Sequence, residues 1–258
     1  MKVVILAGGL GTRLTEETSV RPKPMVEIGG KPILWHIMKM YAQYGYNDFI
    51  ICLGYKGHII KEYFINYYLY NSDITVEVGT NKLDVHYTSS ESFKVTLIDT
   101  GVDTNTAGRI KQIQKYIGNE PFMLTYGDGV GDLDIPALIR FHKQHGKLAT
   151  LTSVQTPGRF GNLETDESGI VKHFEEKPSD DGHWINGGFF VLEYGIFNYL
   201  QEDVDTVQWE RQPLSAIAAN GQLAAYRHHG FWKCMDALRD KIELEDLWKS
   251  GNAPWKTW

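Results

Sequence analysis

The run Val3-Val4-Ile5-Leu6-Ala7, ending at once in Gly8-Gly9-Leu10-Gly11, constrains this chain more than any other stretch. An apolar, β-branched run without alternation reads as a parallel strand buried on both faces of a sheet. Glycines directly after such a strand let backbone N–H groups approach a ligand closely, because no Cβ stands in the way. Ligands of open α/β sheets sit outside the carboxyl ends of the strands. The loops at those ends are where chemistry is expected.

The rest of the chain repeats the rhythm. Ile33, Leu34, Ile37, Met38 and Tyr41 recur at helical spacing between Pro32 and Gly45, and 49–53 forms the next strand. Apolar runs at 95–98, 122–125 and 149–154 alternate with helical patterns at 110–117 and 135–142. This alternation predicts an α/β fold, a Rossmann-like layered mixed sheet. Shorter strands at 170–174 and 189–192, then helices at 213–219 and 237–247, follow without a linker or internal repeat. One domain over 1–258 is expected, with an N-terminal part over about 1–130 and a C-terminal part over about 131–258. Tyr63, Phe64, Tyr67, Tyr68 and Tyr70 crowd one helical segment. It is either an aromatic core helix or a subunit interface, where tyrosine is enriched.

At 258 residues the chain can bury a substantial core, and its formal net charge of −6 argues against a broad basic surface for nucleic acid. No apolar run approaches the roughly 20 residues of a spanning helix, and 3–7 is too short for a secretory signal core. No membrane partner and a cytoplasmic location are expected. Two cysteines cannot build a disulfide framework. Cys52 reads as a buried small hydrophobe, and neither it nor Cys234 is given a catalytic role. The nine histidines show no ligand spacing, and His228-His229 reads as a surface pair.

Arg13 and Lys23 follow the glycine loop, in Thr12-Arg13-Leu14 and Arg21-Pro22-Lys23-Pro24, and supply countercharge for phosphates. Gly9 and Gly11 could open the dinucleotide fingerprint of an oxidoreductase, but Leu14 stands where its third glycine belongs. Gly127-Asp128-Gly129 closes another buried strand; an Asp there is ordinarily a turn residue, and Asp236, before a helix, is as readily an N-cap. Two carboxylates converging on triphosphate oxygens would instead form an Mg²⁺ site. Glu176-Lys177-Pro178 also follows a strand. Lys177 can hold a phosphate there, and Glu176 and Asn186 can bond sugar hydroxyls, while Gly187 and Gly188 leave space for the ring. On an open surface the same Glu-Lys pair carries no role.

Together these residues resemble the nucleoside-diphosphate-sugar pyrophosphorylase family, whose signature is a G-G-x-G-T-R-L loop, a nearby K-P, a G-D-G aspartate, E-K-P and a late aspartate. The likeness runs the length of the chain, through Pro157-Gly158-Arg159-Phe160-Gly161 to the tail Ala253-Pro254-Trp255-Lys256-Thr257-Trp258. It implies the nucleotide-diphospho-sugar transferase fold, with the N-terminal part binding nucleotide and the C-terminal part binding sugar. It further implies that Leu6, Ala7, Gly8, Gly9, Gly11, Thr12, Arg13, Lys23, Thr104, Gly108, Arg109 and Asp128 bind the nucleotide, with Arg13 and Lys23 catalytic. Tyr126, Gly161, Glu176, Lys177, Asn186 and Gly187 would bind the sugar phosphate, and Asp128 and Asp236 would hold Mg²⁺. The implied substrates are CTP and glucose 1-phosphate; UTP, dTTP or another sugar 1-phosphate are the alternatives. Thymidylyl-transferring members carry a glutamine-containing loop where this chain has 100–109 without glutamine, which favours cytidine. A homo-oligomer, with a hexamer as first expectation, is also implied. A non-catalytic sensor of the same fold is disfavoured by the presence of both aspartates.

Overall fold

The structure, a computed structural model, describes residues 1–156, 184–200 and 204–258, together with the strands Asn162–Thr165 and Val171–Glu175. Its frame is an eight-stranded sheet of β1 (Val3–Ala7), β2 (Asp48–Leu53), β3 (Lys94–Asp99), β4 (Phe122–Tyr126), β5 (Ala149–Val154), β6 (Ile185–Asn186), β7 (Phe190–Leu192) and β8 (Leu223–His228). In space the order is β6-β5-β7-β4-β1-β2-β3, with β8 beside β5. β1 lies inside the sheet, parallel to β2 and β4, with Val3 opposite both Phe49 and Met123. β7 enters antiparallel between β4 and β5, so the sheet is mixed, as expected. The longer helices are α1 (Ile33–Ala42), α2 (Gly57–Tyr70), α3 (Thr106–Gln112), α4 (Ile135–His145), α5 (Gln212–Ala219) and α6 (Leu238–Lys249).

The unbroken apolar run of β1 serves two cores at once. Val3, Ile5 and Ala7 face the core that takes residues of α1, α4 and α6, while Val4 and Leu6 face the core built on α3 and α5. Alternate side chains of a strand point to opposite faces, so a strand covered on both sides must be apolar throughout. Each buried Val, Ile or Leu contributes about 1.5–3 kcal/mol. The glycine loop is thereby tied to a rigid part of the molecule.

The tail docks on α1. The Trp255 indole N–H donates to His36 Nδ1 at 3.3 Å, and His36 Nε2 donates to the Ile28 carbonyl at 2.8 Å. The first bond requires the neutral ring, and burial lowers the His36 pKa from 6.5 to about 4 against the raising effect of the Ile28 carbonyl. The folded pKa is the lower one, so this contribution is full above pH 6.5 and is lost as the pH falls from 6.5 towards 4. About 3 kcal/mol of stability is expected to disappear across that window. Urea midpoints measured through it should fall steeply for the native chain and less steeply for His36→Gln; equal slopes would remove His36 as the cause.

Several expectations are corrected. The helix expected over 110–117 begins at Thr106 and breaks at Ile113 before a further turn, Gln114–Ile117. Its small start, Thr106-Ala107-Gly108, carries no apolar period and is held from outside, with the Asn105 N–H donating to the Asp205 carbonyl at 2.6 Å and the Ala107 N–H to that of Val207 at 3.1 Å. The aromatic segment divides: Tyr67 is buried, Tyr63 and Phe64 pack partly buried against the core, and Tyr68 and Tyr70 are exposed. His228 is not a surface residue, because its Nε2 lies 3.0 Å from Asp132 Oδ1 with the side chain 9% exposed. An unanticipated hairpin, Ser72–Glu77 with Lys82–Thr88, lies off the main sheet. Among the described residues no helix is long and apolar enough to cross a membrane.

Candidate active site

The loop after β1 is shaped by one buried cation. Arg109, on α3, is 4% exposed, and its guanidinium donates to the carbonyls of Leu53, Gly101, Gly8 and Val102 and to Thr100 Oγ1. A Cβ at Gly8 or Gly54 would collide with that guanidinium. Gly8 is therefore demanded by Arg109, whereas Gly9 has no atom within 4 Å of a notional Cβ and lies open. Gly11 takes φ +66, which favours glycine. Burial lowers the Arg109 pKa, yet a guanidinium stays charged. Its charge stands behind the loop.

The two aspartates meet through a short ladder. Gly129–Gly131 pairs antiparallel with Trp232–Cys234, with Gly129 opposite Cys234, and the Met235 N–H donates to the Asp128 carbonyl at 2.8 Å. Asp236 is not the cap of α6. Ala237 holds that position and Asp240 reaches back from the first turn, its Oδ2 accepting from the N–H groups of Asp236 and Ala237 at 3.1 and 2.8 Å, while the Asp236 carboxylate faces the site.

Lys23 lies between the carboxylates, its Nζ 2.6 Å from Asp128 Oδ2 and 2.7 Å from Asp236 Oδ1, and Arg13 Nη1 reaches Asp236 Oδ2 at 3.0 Å. Burial alone would lower the Lys23 pKa, but Asp128 and Asp236 outweigh it and raise it. Burial would raise that of Asp236, and Lys23 and Arg13 together reverse the sign. Both groups stay charged at neutral pH. Cys234, whose sulfur lies within 4.8 Å of the carboxylate oxygens, is pushed up by burial and by Asp128, so its thiol keeps its proton.

Two cavities join here. The first, about 300 Å³, is lined by Leu6, Ala7, Gly8, Gly9, Gly11, Thr12, Arg13, Lys23, Thr104, Arg109 and Asp128, among others. The second, about 230 Å³, is lined by residues that include Tyr126, Asn186, Gly187, Phe189 and Trp232. Arg13, Tyr126, Asp128 and Asp236 line both. Gly108 is turned away, and a Cβ there would meet Asp205 at 2.5 Å and Thr104 at 2.6 Å. Gly161, Glu176 and Lys177 lie outside the described residues.

The model of the nucleotidyl transferase family matches residues 2–234. The chain belongs to that family. It is 58% identical to a glucose-1-phosphate cytidylyltransferase of Salmonella typhi over 100% of both chains, and 48% identical to a probable glucose-1-phosphate cytidylyltransferase of Bacillus subtilis, again over 100% of both. Among solved structures it resembles HddC from Yersinia pseudotuberculosis, with TM-score 0.70 and 26% identity over 96% of this chain and 99% of that one.

In this nucleotidyltransferase the structure adds residues that the sequence reading passed over. Cys234 lies beside both aspartates, and the Trp232 indole N–H donates to the Gly187 carbonyl at 2.9 Å, beneath the second cavity. Their place within four residues of Asp236 is the one local signal that could have found them. Glu210 accepts from Tyr126 and from Thr106, and no local motif announces it.

Proposed function

We propose that this nucleotidyltransferase joins CTP to glucose 1-phosphate, giving CDP-glucose and pyrophosphate. The observation that carries this reading is the meeting of two cavities at Asp128, Asp236, Arg13 and Tyr126, with Lys23 between the two carboxylates. The choice of cytosine and glucose is supported by 58% identity, over the whole chain, to a protein named for that activity.

The triphosphate takes the first cavity, where Gly8 to Arg13 and Lys23 receive it, and Arg109 supports it with charge from behind the loop. Thr104 borders the base, and Gly108 acts only through its packing on Thr104. Glucose 1-phosphate takes the second cavity, with Tyr126, Asn186 and Gly187 about the ring; Glu176, Lys177 and Gly161 keep the sugar-phosphate roles read from the sequence. The nucleotide part then covers about 1–130 and the sugar part about 131–258, with Asp236 returning to the first.

A phosphate oxygen of the sugar phosphate attacks the α-phosphorus in line. The new P–O bond forms as the bond to the bridging oxygen of the β-phosphate breaks, and the electron pair leaves with pyrophosphate. A phosphate monoester has its second pKa near about 6, so the nucleophile needs no general base at neutral pH. The residues must bring two anions together and hold them. On nucleotide binding, Lys23 exchanges its two carboxylates for phosphate oxygens.

A hard divalent ion fits the donor set. Asp128 and Asp236 point oxygens at one cationic centre, filled here by the Lys23 ammonium, and the neighbouring thiol is neutral. Asp128 and Asp236 would hold Mg²⁺, which supplies charge neutralisation at the triphosphate when bound. Isotope tracing tests the reaction: glucose 1-phosphate carrying ¹⁸O on its phosphate should place one label in the diphosphate bridge of CDP-glucose. Label appearing only in released phosphate would contradict attack at the α-phosphorus.

We also infer a homo-oligomer, with six copies as first expectation. The hairpin pairs Ile74 with Val85 and Val76 with Leu83, and all four are 37–46% exposed, beside the exposed Tyr68 and Tyr70. An isolated two-stranded hairpin is marginal in water, so an apolar face of this kind supports burial against a second copy. Light scattering should give a multiple of 29.4 kDa, reduced by Val76→Asp with Val85→Lys. A monomeric native chain would overturn the inference.

A further inference from the structure

Glu210 poses a physical question. It lines neither cavity, but it bonds Tyr126, which lines both, and a carboxylate so near two cavities that, on the reading above, receive two polyanions opposes binding of both by its charge. Any favourable contribution must come through its hydrogen bonds. Those bonds form a directed chain. The Trp209 N–H donates to Thr106 Oγ1 at 2.7 Å, Thr106 Oγ1 donates to Glu210 Oε2 at 2.9 Å, and the Tyr126 hydroxyl donates to Glu210 Oε1 at 2.6 Å. With its proton committed to Glu210, the Tyr126 oxygen is left to accept, and it accepts from Asn186 Nδ2 at 3.3 Å. Asn186 Oδ1 in turn accepts from the Gly188 N–H at 2.9 Å.

The backbone keeps this chain taut. Gly188 takes φ +76, and a Cβ there would come within 2.9 Å of the Tyr126 ring. Phe189, a non-glycine residue, takes φ +49. Segment 205–207 is clipped to the start of α3 through Asn105 and Ala107. Glu210 thus joins Thr106, which lines the first cavity, to Tyr126, which lines both, and through it to Asn186, which lines the second.

We propose that Glu210 is a positioning residue that fixes the donor direction of the Tyr126 hydroxyl and so orients Asn186 for the sugar. The proposal rests on the assignment of the second cavity to the sugar. Glu210→Gln makes the mechanism visible. Thr106 Oγ1 already accepts the backbone N–H of Trp209 at 2.7 Å, a shorter bond than the 3.3 Å one from Asn186 to Tyr126, so the amide oxygen stays with Thr106 and the N–H groups turn to Tyr126, whose oxygen then faces two donors. The phenolic proton must turn into the cavity, and Asn186 loses its acceptor.

The test uses the product and the nucleotide as ligands, so it does not depend on turnover. Titration calorimetry of the native chain and Glu210→Gln with CDP-glucose and with CTP should give a Kd for CDP-glucose about tenfold weaker in the variant, with CTP within about twofold. Tyr126→Phe should weaken CDP-glucose similarly, and the double variant should lose no more than either single one. Tighter binding of both ligands would mean that Glu210 acts by charge alone, and equal weakening of both would mean a scaffold role; either overturns the proposal, as does unchanged CDP-glucose affinity. Should Glu210→Gln fail to fold by thermal melting, Glu210→Asp carries the test with the same outcomes, since its shorter side chain withdraws the acceptor from Tyr126 while keeping the charge. Failure of the proposed reaction would instead read as absence of pyrophosphate release in the native chain.

Discussion

Replacing Asp128 by asparagine is expected to lower kcat by roughly 10³-fold while shifting Tm by no more than a few degrees. The carboxylate answers Lys23 at 2.6 Å in the free protein and is assigned to Mg²⁺ when substrates are bound. Its amide replacement is nearly isosteric, so the ladder between Gly129–Gly131 and Trp232–Cys234 should survive. What changes is charge. The site loses half of its fixed anionic capacity for a cation, with Asp236 alone remaining, and partial recovery at tenfold higher Mg²⁺ is expected. Steady-state kinetics over an Mg²⁺ series, with thermal melting as control, checks this. Native-like kcat at ordinary Mg²⁺ would remove Asp128 from the metal site.

Arg109→Met is expected to cost about 3 kcal/mol of stability. For a domain of this size that is roughly 6–12 °C in Tm. The guanidinium gathers the Gly8 loop, the end of β2 at Leu53 and residues 100–102 into one cluster, and each loses a buried donor when it goes. Gly8 and Gly54, which lack side chains where the guanidinium fits, would then border a void. Affinity for CTP should fall as well, because the loop loses both its anchor and the charge behind it. A variant melting with the native chain would show that solvent satisfies the loop carbonyls in place of Arg109 at no cost.

The parts legible in the sequence were those in which one short segment carries both the fold and the chemistry. Val3–Ala7 with its glycines defined a buried strand and a ligand loop without outside help, and Gly127-Asp128-Gly129 ended the neighbouring strand where a site was expected. Thr12, Arg13, Lys23 and Thr104, which the resemblance implied as nucleotide contacts, line the first cavity. Long-range pairing was not legible. Asp236 reaches Asp128 through a ladder of three residues a side, too short to carry a periodic signal, and Ala237 holds the cap position of α6. Arg109 lines the first cavity, but its burial among the carbonyls of other segments cannot be read from its own neighbours. Glu210 acts across 84 positions to Tyr126 for the same reason. The hairpin at Ser72–Thr88 did carry an alternating pattern in Ile74 and Val76 and in Leu83, Val85 and Tyr87, but that face is unburied in the single chain. Burial, which usually explains alternation, is absent there.

Pyrophosphate release with glucose 1-phosphate and Mg²⁺, run in parallel with CTP, UTP, dTTP and ATP, decides both the reaction and the base preference. Release with CTP far above the other three is expected. Release favouring another nucleotide would contradict the cytidine assignment, and no release with any of them would contradict the reaction itself.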